Sequence, residues 1–328
     1  MAEILLSIII PVYNVDNYLA ECVNSIRSQC NDSCELILID DGSTDSSGFL
    51  CDSFEDNIVK VVHKQNEGLG ATRNVGINIA TGKYVSFVDS DDRVTSRSIQ
   101  RLINWISSND NTDICFLEGI KFYSDDTSVS MGDEIVRDKV RNQRKTQVIK
   151  HLASRPKFPG SSCTKVYRRA FLVENNIAFP SDRRVSEDLW FVMECFLLAK
   201  TFDELDFNYY EYRQNREGSI TNTVSSKSYY DLASFIEFYS NKLTINRTTN
   251  HTINKWLMSF VAYEYIQLTI DYNFLPITER SEAMIFLKEY YWTLRYAFSR
   301  RVRLVRFVFS ITGLKLGSKL ISIYLKHR

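Results

Sequence analysis

The first half of the chain alternates segments with the hydrophobic pattern of buried strands and segments with the pattern of amphipathic helices. Residues 4–12 form a continuous apolar run, which is typical of a strand buried on both faces. A helical pattern follows, with an apolar face formed by Leu19, Cys22, Val23 and Ile26. Further strands are predicted over 35–39, 58–63 and 83–88, and a further helix over 71–80. Repeated strand, helix, strand units predict an α/β fold with an open, mainly parallel central sheet.

Polar residues gather where three of these predicted strands end. The ends read PVYN at 11–14, DDGS at 40–43 and DSDD at 89–92. Ligands of such sheets bind beyond the carboxyl ends of the strands. The pattern therefore predicts that carboxylates from two strands face one cleft.

From about Ser225 onward the pattern changes to long, aromatic-rich helices. They are predicted over 229–243, 253–272 and 278–298, with Pro276 as a break between the last two. We therefore expect an α-helical C-terminal appendage. The expected domains are 1–220, with halves at about 1–118 and 119–220, and a helical region 221–328 that ends in a basic amphipathic tail, 295–328.

Composition and cysteine usage narrow the class of protein. A chain of 328 residues that is 44% hydrophobic has enough apolar surface for a packed core. Seven cysteines without a Cys-x-x-Cys pair, and no leader pattern at the N-terminus, predict free thiols in the cytoplasm and no zinc. The four histidines lie at no metal-ligand spacing. No apolar run reaches the roughly 20 residues that a membrane-spanning helix needs.

The formal net charge of zero hides a division along the chain. From Arg295 to the end there are nine Lys or Arg and no Asp or Glu, so the residues before it carry 31 basic and 40 acidic side chains. Because the basic residues of this tail are interleaved with Leu, Ile, Val and Phe, we expect it to contact an anionic membrane as a peripheral helix. A helix docked on the protein's own core or on a partner subunit is the alternative. Binding of nucleic acid would leave the aspartate cleft unexplained.

The aspartates at the end of the strand 83–88 are the strongest chemical signal. Asp89 and Asp91 alternate along an extended chain, so both can point at one site. Two hard oxygen ligands suit Mg²⁺ or Mn²⁺, which completes its shell with water and the phosphates of a nucleotide diphosphate. The alternative is that these residues, or Asp92 alone, cap a helix that begins near Ser96.

A glycine-containing loop, NEGLGATRN at 66–74, enters the predicted helix 71–80. It departs from the dinucleotide-binding pattern, because Arg73 stands where the third glycine should be and the loop follows the third strand rather than the first. Arg73 is instead available to a nucleotide or to the aspartates.

Four motifs in this order and spacing resemble family 2 glycosyltransferases with the nucleotide-sugar-binding GT-A fold. They are SIIIPVYN at 7–14, IDDGSTD at 39–45, the loop from Asn66 to Gly76, and FVDSDD at 87–92. The resemblance extends to about residue 220, because CTKVYR at 163–168, IAFP at 177–180, SED at 186–188 and the segment 212–220 look like second-half motifs of members that build bacterial surface polysaccharides.

The resemblance implies roles for individual residues. Asp41 would bind the uracil of a UDP-sugar above a floor formed by Pro11, Val12 and Tyr13, and Asp89 would lie by the ribose. Asp91 would bind Mn²⁺ or Mg²⁺. Arg213 and Ser219 would contact the diphosphate, as would Lys165, although a strand arginine paired to a surface acid is the alternative for Arg213. Asp188 would be the general base.

Asp188 also has alternatives on the sequence alone. It precedes an apolar helical pattern over 189–199 and could be that helix's N-cap, and its neighbour Glu187 competes for the role of base. A carboxylate can take the proton of an attacking acceptor hydroxyl, and one base with direct attack implies inversion at the sugar.

We therefore expect an inverting, metal-dependent glycosyltransferase that moves a sugar from a UDP donor to a glycan or lipid-linked saccharide at the cytoplasmic face of the membrane. One alternative is an NAD-dependent oxidoreductase on a dinucleotide-binding fold. The other is a non-catalytic protein that binds nucleotide sugars or acts as a scaffold.

Overall fold

The computed structural model describes residues 3–109, 111–123, 127–131, 135–183, 186–214, 225–245 and 251–326. The chain divides into two compact units. The first comprises Met1–Lys145 and Gly160–Glu217, and the second comprises Thr146–Pro159 and Gly218–Arg328. The segment from Thr146 to Pro159 thus lies in the helical second unit, although it falls between two stretches of the first.

The first unit is built on a nine-stranded sheet. Its strands are β1 (Leu6–Val12), β2 (Cys34–Asp40), β3 (Val59–His63), β4 (Tyr84–Phe87), β5 (Arg93–Val94), β6 (Ile114–Phe122), β7 (Ser128–Ser130), β8 (Lys165–Arg168) and β9 (Phe202–Arg213). The order is β3-β2-β1-β4-β8-β6-β9-β5, with β7 paired to β6. The first four strands in this order are parallel, β8 runs antiparallel to both its neighbours, and β6 and β9 are parallel. The predicted α/β class is confirmed.

The helices of the first unit lie between these strands in the chain. They are α1 (Asp16–Arg27), α2 (Ser47–Phe54), α3 (Leu69–Ile79), α4 (Ser98–Ser107), α6 (Arg169–Glu174) and α7 (Glu187–Leu198), and α5 (Lys145–Ala153) begins at the boundary with the second unit. The apolar face predicted for α1 is confirmed, because its four residues are fully buried.

Strands β1 and β2, in the parallel part of the sheet, are buried on both faces. Every residue of β1 and β2 is buried, as their continuous apolar runs predict. Helix α3 lies close to β1 at Gly76, where an added Cβ would meet Ile9 Cγ2 at 2.4 Å. Because Val12 pairs with Asp40 in register, β1 and β2 end at the same edge of the sheet.

The second unit consists mainly of helices. They are α8 (Ser226–Ile245), α9 (His251–Asp271), α10 (Arg280–Tyr290) and α11 (Arg300–Lys326). The predictions for α8 and α9 are confirmed to within a few residues at each end. The prediction of one helix over 278–298 is wrong, because α10 ends at Tyr290 and a 3₁₀ segment, Tyr291–Tyr296, follows. Among the described residues, no helix is both long and apolar enough to cross a bilayer.

Candidate active site

The turn after β4 carries the three aspartates. Val88 N donates to Ile9 O, which extends the parallel pairing, and Asp92 N then donates to Asp89 O to close a turn. Asp92 is buried and accepts hydrogen bonds from Tyr210 Oη and, at 2.7 Å, from Arg213 N, both on β9. The alternative that these residues cap the next helix is wrong, because α4 begins at Ser98 with Arg97 in the N-cap position.

The crowding of negative charge in this turn affects the pKa of Asp92. Burial, followed by the charges of Asp91 and Asp89, raises the pKa of Asp92 to about 8. Carboxylates held this close need a cation nearby. The donor set, hard oxygens at a strand end, fits Mg²⁺ or Mn²⁺.

Arg73 joins this turn to the start of α7. Its side chain, on α3, is only 1% exposed. Nη2 donates to Asp89 Oδ1 at 2.7 Å, whereas Nη1 donates to Glu187 Oε1 at 2.9 Å and to Asp188 Oδ1 at 2.7 Å. Of the two partners expected for Arg73, the structure puts its guanidinium on the carboxylates. One buried cation therefore brings carboxylates from the two halves of the first unit into one site.

Asp188 is held by a second group on its other side. Ser162 Oγ donates to Asp188 Oδ1 at 2.9 Å, and Ser162 N donates to Asp188 Oδ2 at 3.0 Å. Asp188 is the second residue of α7, and Ser186 is the N-cap, so the alternative that Asp188 caps this helix is wrong. Its carboxylate points across to the Ser162 backbone instead.

The two neighbouring acids at this helix start differ in access to solvent. The Asp188 side chain is 24% exposed and that of Glu187 is 9% exposed. Burial, then the charge of Asp188, raises the pKa of Glu187 to about 7, and the Arg73 guanidinium acts in the opposite direction.

Asp41 lies directly after β2 and is tied to the loop before α3. Its backbone N–H donates to Val12 O at 2.9 Å. Asp41 Oδ1 accepts from Lys64 Nζ at 2.6 Å and from Glu67 N at 3.0 Å, and Oδ2 accepts from Gly68 N at 2.8 Å. The neighbouring residues Pro11 and Val12 are buried, whereas Tyr13 is 47% exposed.

Arg213, at the end of β9, also contacts the aspartate turn. Its Nε donates to the backbone O of Asp91 at 2.7 Å, and its Nη2 pairs with Glu21. The guanidinium lies 5.0 Å from the Tyr18 ring centre and 4.6 Å from that of Phe122. Ser219, the other residue expected at the diphosphate, lies outside the described residues.

Lys165 is a buried strand residue whose side chain contacts the backbone. It is fully buried in β8, and its Nζ donates to Ser161 O at 2.5 Å. This contact ties β8 to the segment before it, which also carries Ser162.

Comparison with known proteins shows the family to which this chain belongs. The sequence model of glycosyl transferase family 2 matches residues 7–174, about half of the chain. The chain belongs to this family. GlyG, a glycosyltransferase of Streptococcus pneumoniae, is 30% identical over 86% of this chain and 94% of its own length. The uncharacterized glycosyltransferase EpsJ of Bacillus subtilis is 35% identical over 64% of this chain, but the match covers only 61% of EpsJ.

The fold of this family member is also that of solved structures. The crystal structure of S. aureus TarS 1–349 in complex with UDP-GlcNAc has a TM-score of 0.73 and 21% identity, covering 99% of this chain and 92% of that one. A mannosyltransferase from Pyrobaculum calidifontis, in complex with GDP-Man and Mn²⁺, has a TM-score of 0.56 and 13% identity. These likenesses confirm the fold predicted from the sequence motifs.

Two residues that hold the acids of this site were not predicted from the sequence. Ser162 fixes both oxygens of Asp188, and Tyr210 Oη donates to Asp92 while accepting from Asp89 N at 3.3 Å. Both contacts join residues far apart in the chain. Ser162 directly precedes the motif at 163–168, which was the one available signal, and Tyr210 had none beyond its strand pattern.

Proposed function

We propose that this protein is an inverting, metal-dependent glycosyltransferase that transfers a sugar from a UDP-sugar to a hydroxyl of a lipid-linked glycan during synthesis of a bacterial surface polysaccharide. The observation that carries the proposal is the Arg73 guanidinium, which joins Asp89 on the nucleotide side to Asp188 on the acceptor side. Relatives support the class of product. One is the poly(ribitol-phosphate) beta-glucosyltransferase of Bacillus spizizenii, which is 32% identical over 65% of this chain.

The edge shared by β1 and β2 suits the uridine. A carboxylate has about four acceptor positions, and the loop 64–68 uses three of those on Asp41, which leaves one for the N–H of a uracil. Tyr13 is exposed beside it and can stack on a base, above Pro11 and Val12. Asp89, in the turn after β4, the strand beside β1, would contact the ribose.

The diphosphate belongs at the turn after β4. Asp91 would hold Mn²⁺ or Mg²⁺ there, and the bound ion would neutralise the charge of the departing diphosphate. Arg213 already lies on the backbone of Asp91, so a small rotation of its side chain would bring a planar, bidentate donor to a phosphate oxygen. The Mn²⁺ in the mannosyltransferase structure with the same fold supports this choice of ion.

Asp188 would take the proton from the acceptor hydroxyl. Its carboxylate is the more exposed of the two acids at the start of α7, and Arg73 and Ser162 hold it in one orientation. Glu187 is buried and its Oε1 accepts from Arg73 Nη1, so it is less accessible to an acceptor hydroxyl. A single base and direct attack give inversion of the anomeric carbon.

The tail supports a membrane-bound acceptor. Helix α11 exposes Leu304, Phe307 and Ile311, each more than 60% exposed, at helical spacing on one face. After a bend at Gly313 (φ 72°), the helix exposes a second apolar row. This row is Leu316, Leu320, Ile323 and Tyr324.

Basic side chains flank both of these rows, and no acid follows Arg295. An apolar ridge between cations is the surface that adsorbs to anionic lipid. We therefore assign α11 to the inner face of the cytoplasmic membrane, where a lipid-linked acceptor would be presented.

The test is a panel of nucleotide sugars with Mn²⁺, followed by release of UDP. We expect one UDP-sugar to be turned over. Asp188→Asn should lower turnover by about 10² to 10⁴ with little change in donor affinity, because the amide keeps the shape and loses the proton acceptor. Asp182→Asn, the same change at an exposed position, is the matched control. A lethal Glu187→Gln with a nearly silent Asp188→Asn would reverse the assignment, and turnover of NAD with no nucleotide-sugar activity would contradict the proposal.

A further inference from the structure

A second group of carboxylates lies where β6 pairs with β9. In the sheet order, β8 separates this pair from β1, β2 and β4. It consists of Glu118 on β6 and of Glu204 and Asp206 on β9, all within the first unit. One carboxylate oxygen from each residue lies within 4.8 Å of the other two. None of the three takes part in the site described above.

Strand alternation puts these three residues on one side of the sheet, next to an irregularity in the pairing. Phe116 pairs with Glu204, so Glu118 and Asp206, each two residues further along its strand, point to the same side as Glu204. Leu117 pairs with Leu205, but Glu118 pairs with Asn208, so Asp206 and Phe207 are inserted opposite no residue of β6, as in a β-bulge.

Glu204 supplies an independent sign that a ligand belongs here. The residue is only 1% exposed, and its Oε1 has no hydrogen-bond partner. A buried carboxylate oxygen without a donor is costly, so native proteins usually pair such an atom with a donor or a metal ion. Burial, then the charges of Glu118 and Asp206, raises the pKa of Glu204 to about 7, in keeping with this crowding.

Two arginines lie near the group. Arg137 and Arg141 approach the neighbouring Asp203, with Nε to carboxylate distances of 3.6 and 3.7 Å. A divalent cation placed among Glu118, Glu204 and Asp206 would compensate the negative charge that these three residues share.

We propose that Glu118, Glu204 and Asp206 bind a hard divalent cation of the Ca²⁺ or Mn²⁺ class, at a site separate from Asp91. Two oxygens bound to one ion with bonds of about 2.4 Å are at most about 4.8 Å apart, and the three carboxylate oxygens meet this condition. Asp206 is exposed and leaves room for water to complete the shell.

The ion would fasten β9 to β6 at the bulge. Beyond the bulge, β9 carries Tyr210 and Arg213, whose contacts hold the aspartate turn of the proposed active site. The site would therefore act on the stability of the first unit and on the alignment of that turn, and it has no part in the chemical step.

The experiment titrates metal-free full-length protein with Ca²⁺ or Mn²⁺ alone, without nucleotide. The Asp91→Asn background removes the proposed catalytic ion. We expect one equivalent of metal to bind to Asp91→Asn and none to bind after Glu118→Gln and Asp206→Asn are added. Glu55→Gln, which removes an exposed charge elsewhere, should bind as Asp91→Asn does.

Thermal unfolding gives a second readout. Saturating Ca²⁺ should raise the melting temperature of Asp91→Asn by roughly 5 °C. When Glu204→Gln is added to Asp91→Asn the metal should give no rise, while this double variant without metal should melt higher than metal-free Asp91→Asn, because an uncompensated buried charge is gone. Failure of Asp91→Asn to bind either ion, or unchanged binding in the Glu118→Gln, Asp206→Asn variant, would overturn the proposal.

Discussion

Replacing Arg73 by methionine should destabilise the first unit and abolish activity. The methionine fills a similar volume but removes the cation that touches Asp89, Glu187 and Asp188. These acids would then be left together in a poorly solvated place. Removing one partner of a buried ion pair typically costs about 3 to 5 kcal/mol.

The size of the effect follows from the burial of Arg73. Three hydrogen bonds to charged acceptors at about 1.5 to 3 kcal/mol each would sum to more than this, but the sum overstates the effect because their desolvation is shared. We therefore expect a loss of about 3 to 5 kcal/mol in the free energy of unfolding. Whole domains are stable by about 5 to 15 kcal/mol, so the variant should still fold at low temperature. Arg27→Met is the matched control, because its pair with Asp56 is exposed and worth about 1 kcal/mol or less.

Urea unfolding of the full chain measures this difference. A second change tests the cause, because Glu187→Gln in the Arg73→Met background removes one of the uncompensated acids and should recover stability that it does not add to wild type. Arg73→Lys should keep more stability than Arg73→Met but lose turnover, since a point charge cannot bridge both sides of the site. A loss below about 1 kcal/mol for Arg73→Met, or no recovery in the double variant, would refute this reasoning.

Three further outcomes are expected. Asp91→Ala should remove Mn²⁺-dependent binding of UDP in calorimetry, and unchanged affinity in the folded variant would take Asp91 out of the metal site. Changing the exposed Leu304, Phe307 and Ile311 of α11 to serine leaves its buried face intact, so the variant should stay folded, bind UDP and no longer sediment with acidic vesicles, whereas equal sedimentation would exclude the tail. Burial, then the charge of Asp271, raises the pKa of Glu264 from about 4.5 to about 8, so the protein should lose stability as pH rises across that interval. Glu264→Gln should therefore melt higher than wild type at pH 8.5 and equally at pH 5, and the reverse order would contradict this.

The strands and most helices could be predicted because their signals are local. The continuous apolar runs of β1 and β2 predict their full burial, and α1 buries the face that its periodicity indicates. The break after Tyr290 could not be predicted in this way. An aromatic-rich helical pattern continues through it, and a change from α to 3₁₀ geometry depends on packing rather than on a glycine or proline in the segment.

The site was predictable only as far as strand ends determine it. Carboxylates at the ends of parallel strands must share an edge, so Asp41 and Asp89 could be brought together from the sequence. The contacts of Asp188 could not, because Arg73 and Ser162 approach it from distant parts of the chain. A serine before an apolar motif, or a tyrosine in a strand, has no pattern that announces such a contact.

The three aspartates after β4 are stabilised by different means. Asp89 is paired with the Arg73 guanidinium, and Asp92 is buried under the Tyr210 hydroxyl and the Arg213 backbone N–H. Both sets of partners come from the protein. Asp91, which lies between Asp89 and Asp92 in the sequence, is the residue that the family resemblance assigns to a metal.

The loop before α3 also weighs against a dinucleotide. In a dinucleotide fold the backbone N–H groups at this position would face a pyrophosphate. Here the N–H groups of Glu67 and Gly68 both donate to the Asp41 carboxylate, so they are already used by the protein. The close approach of helix to strand that the third glycine would provide occurs one turn later, at Gly76 against Ile9. Position 73 can therefore carry an arginine, and its guanidinium donates to the carboxylates of Asp89, Glu187 and Asp188.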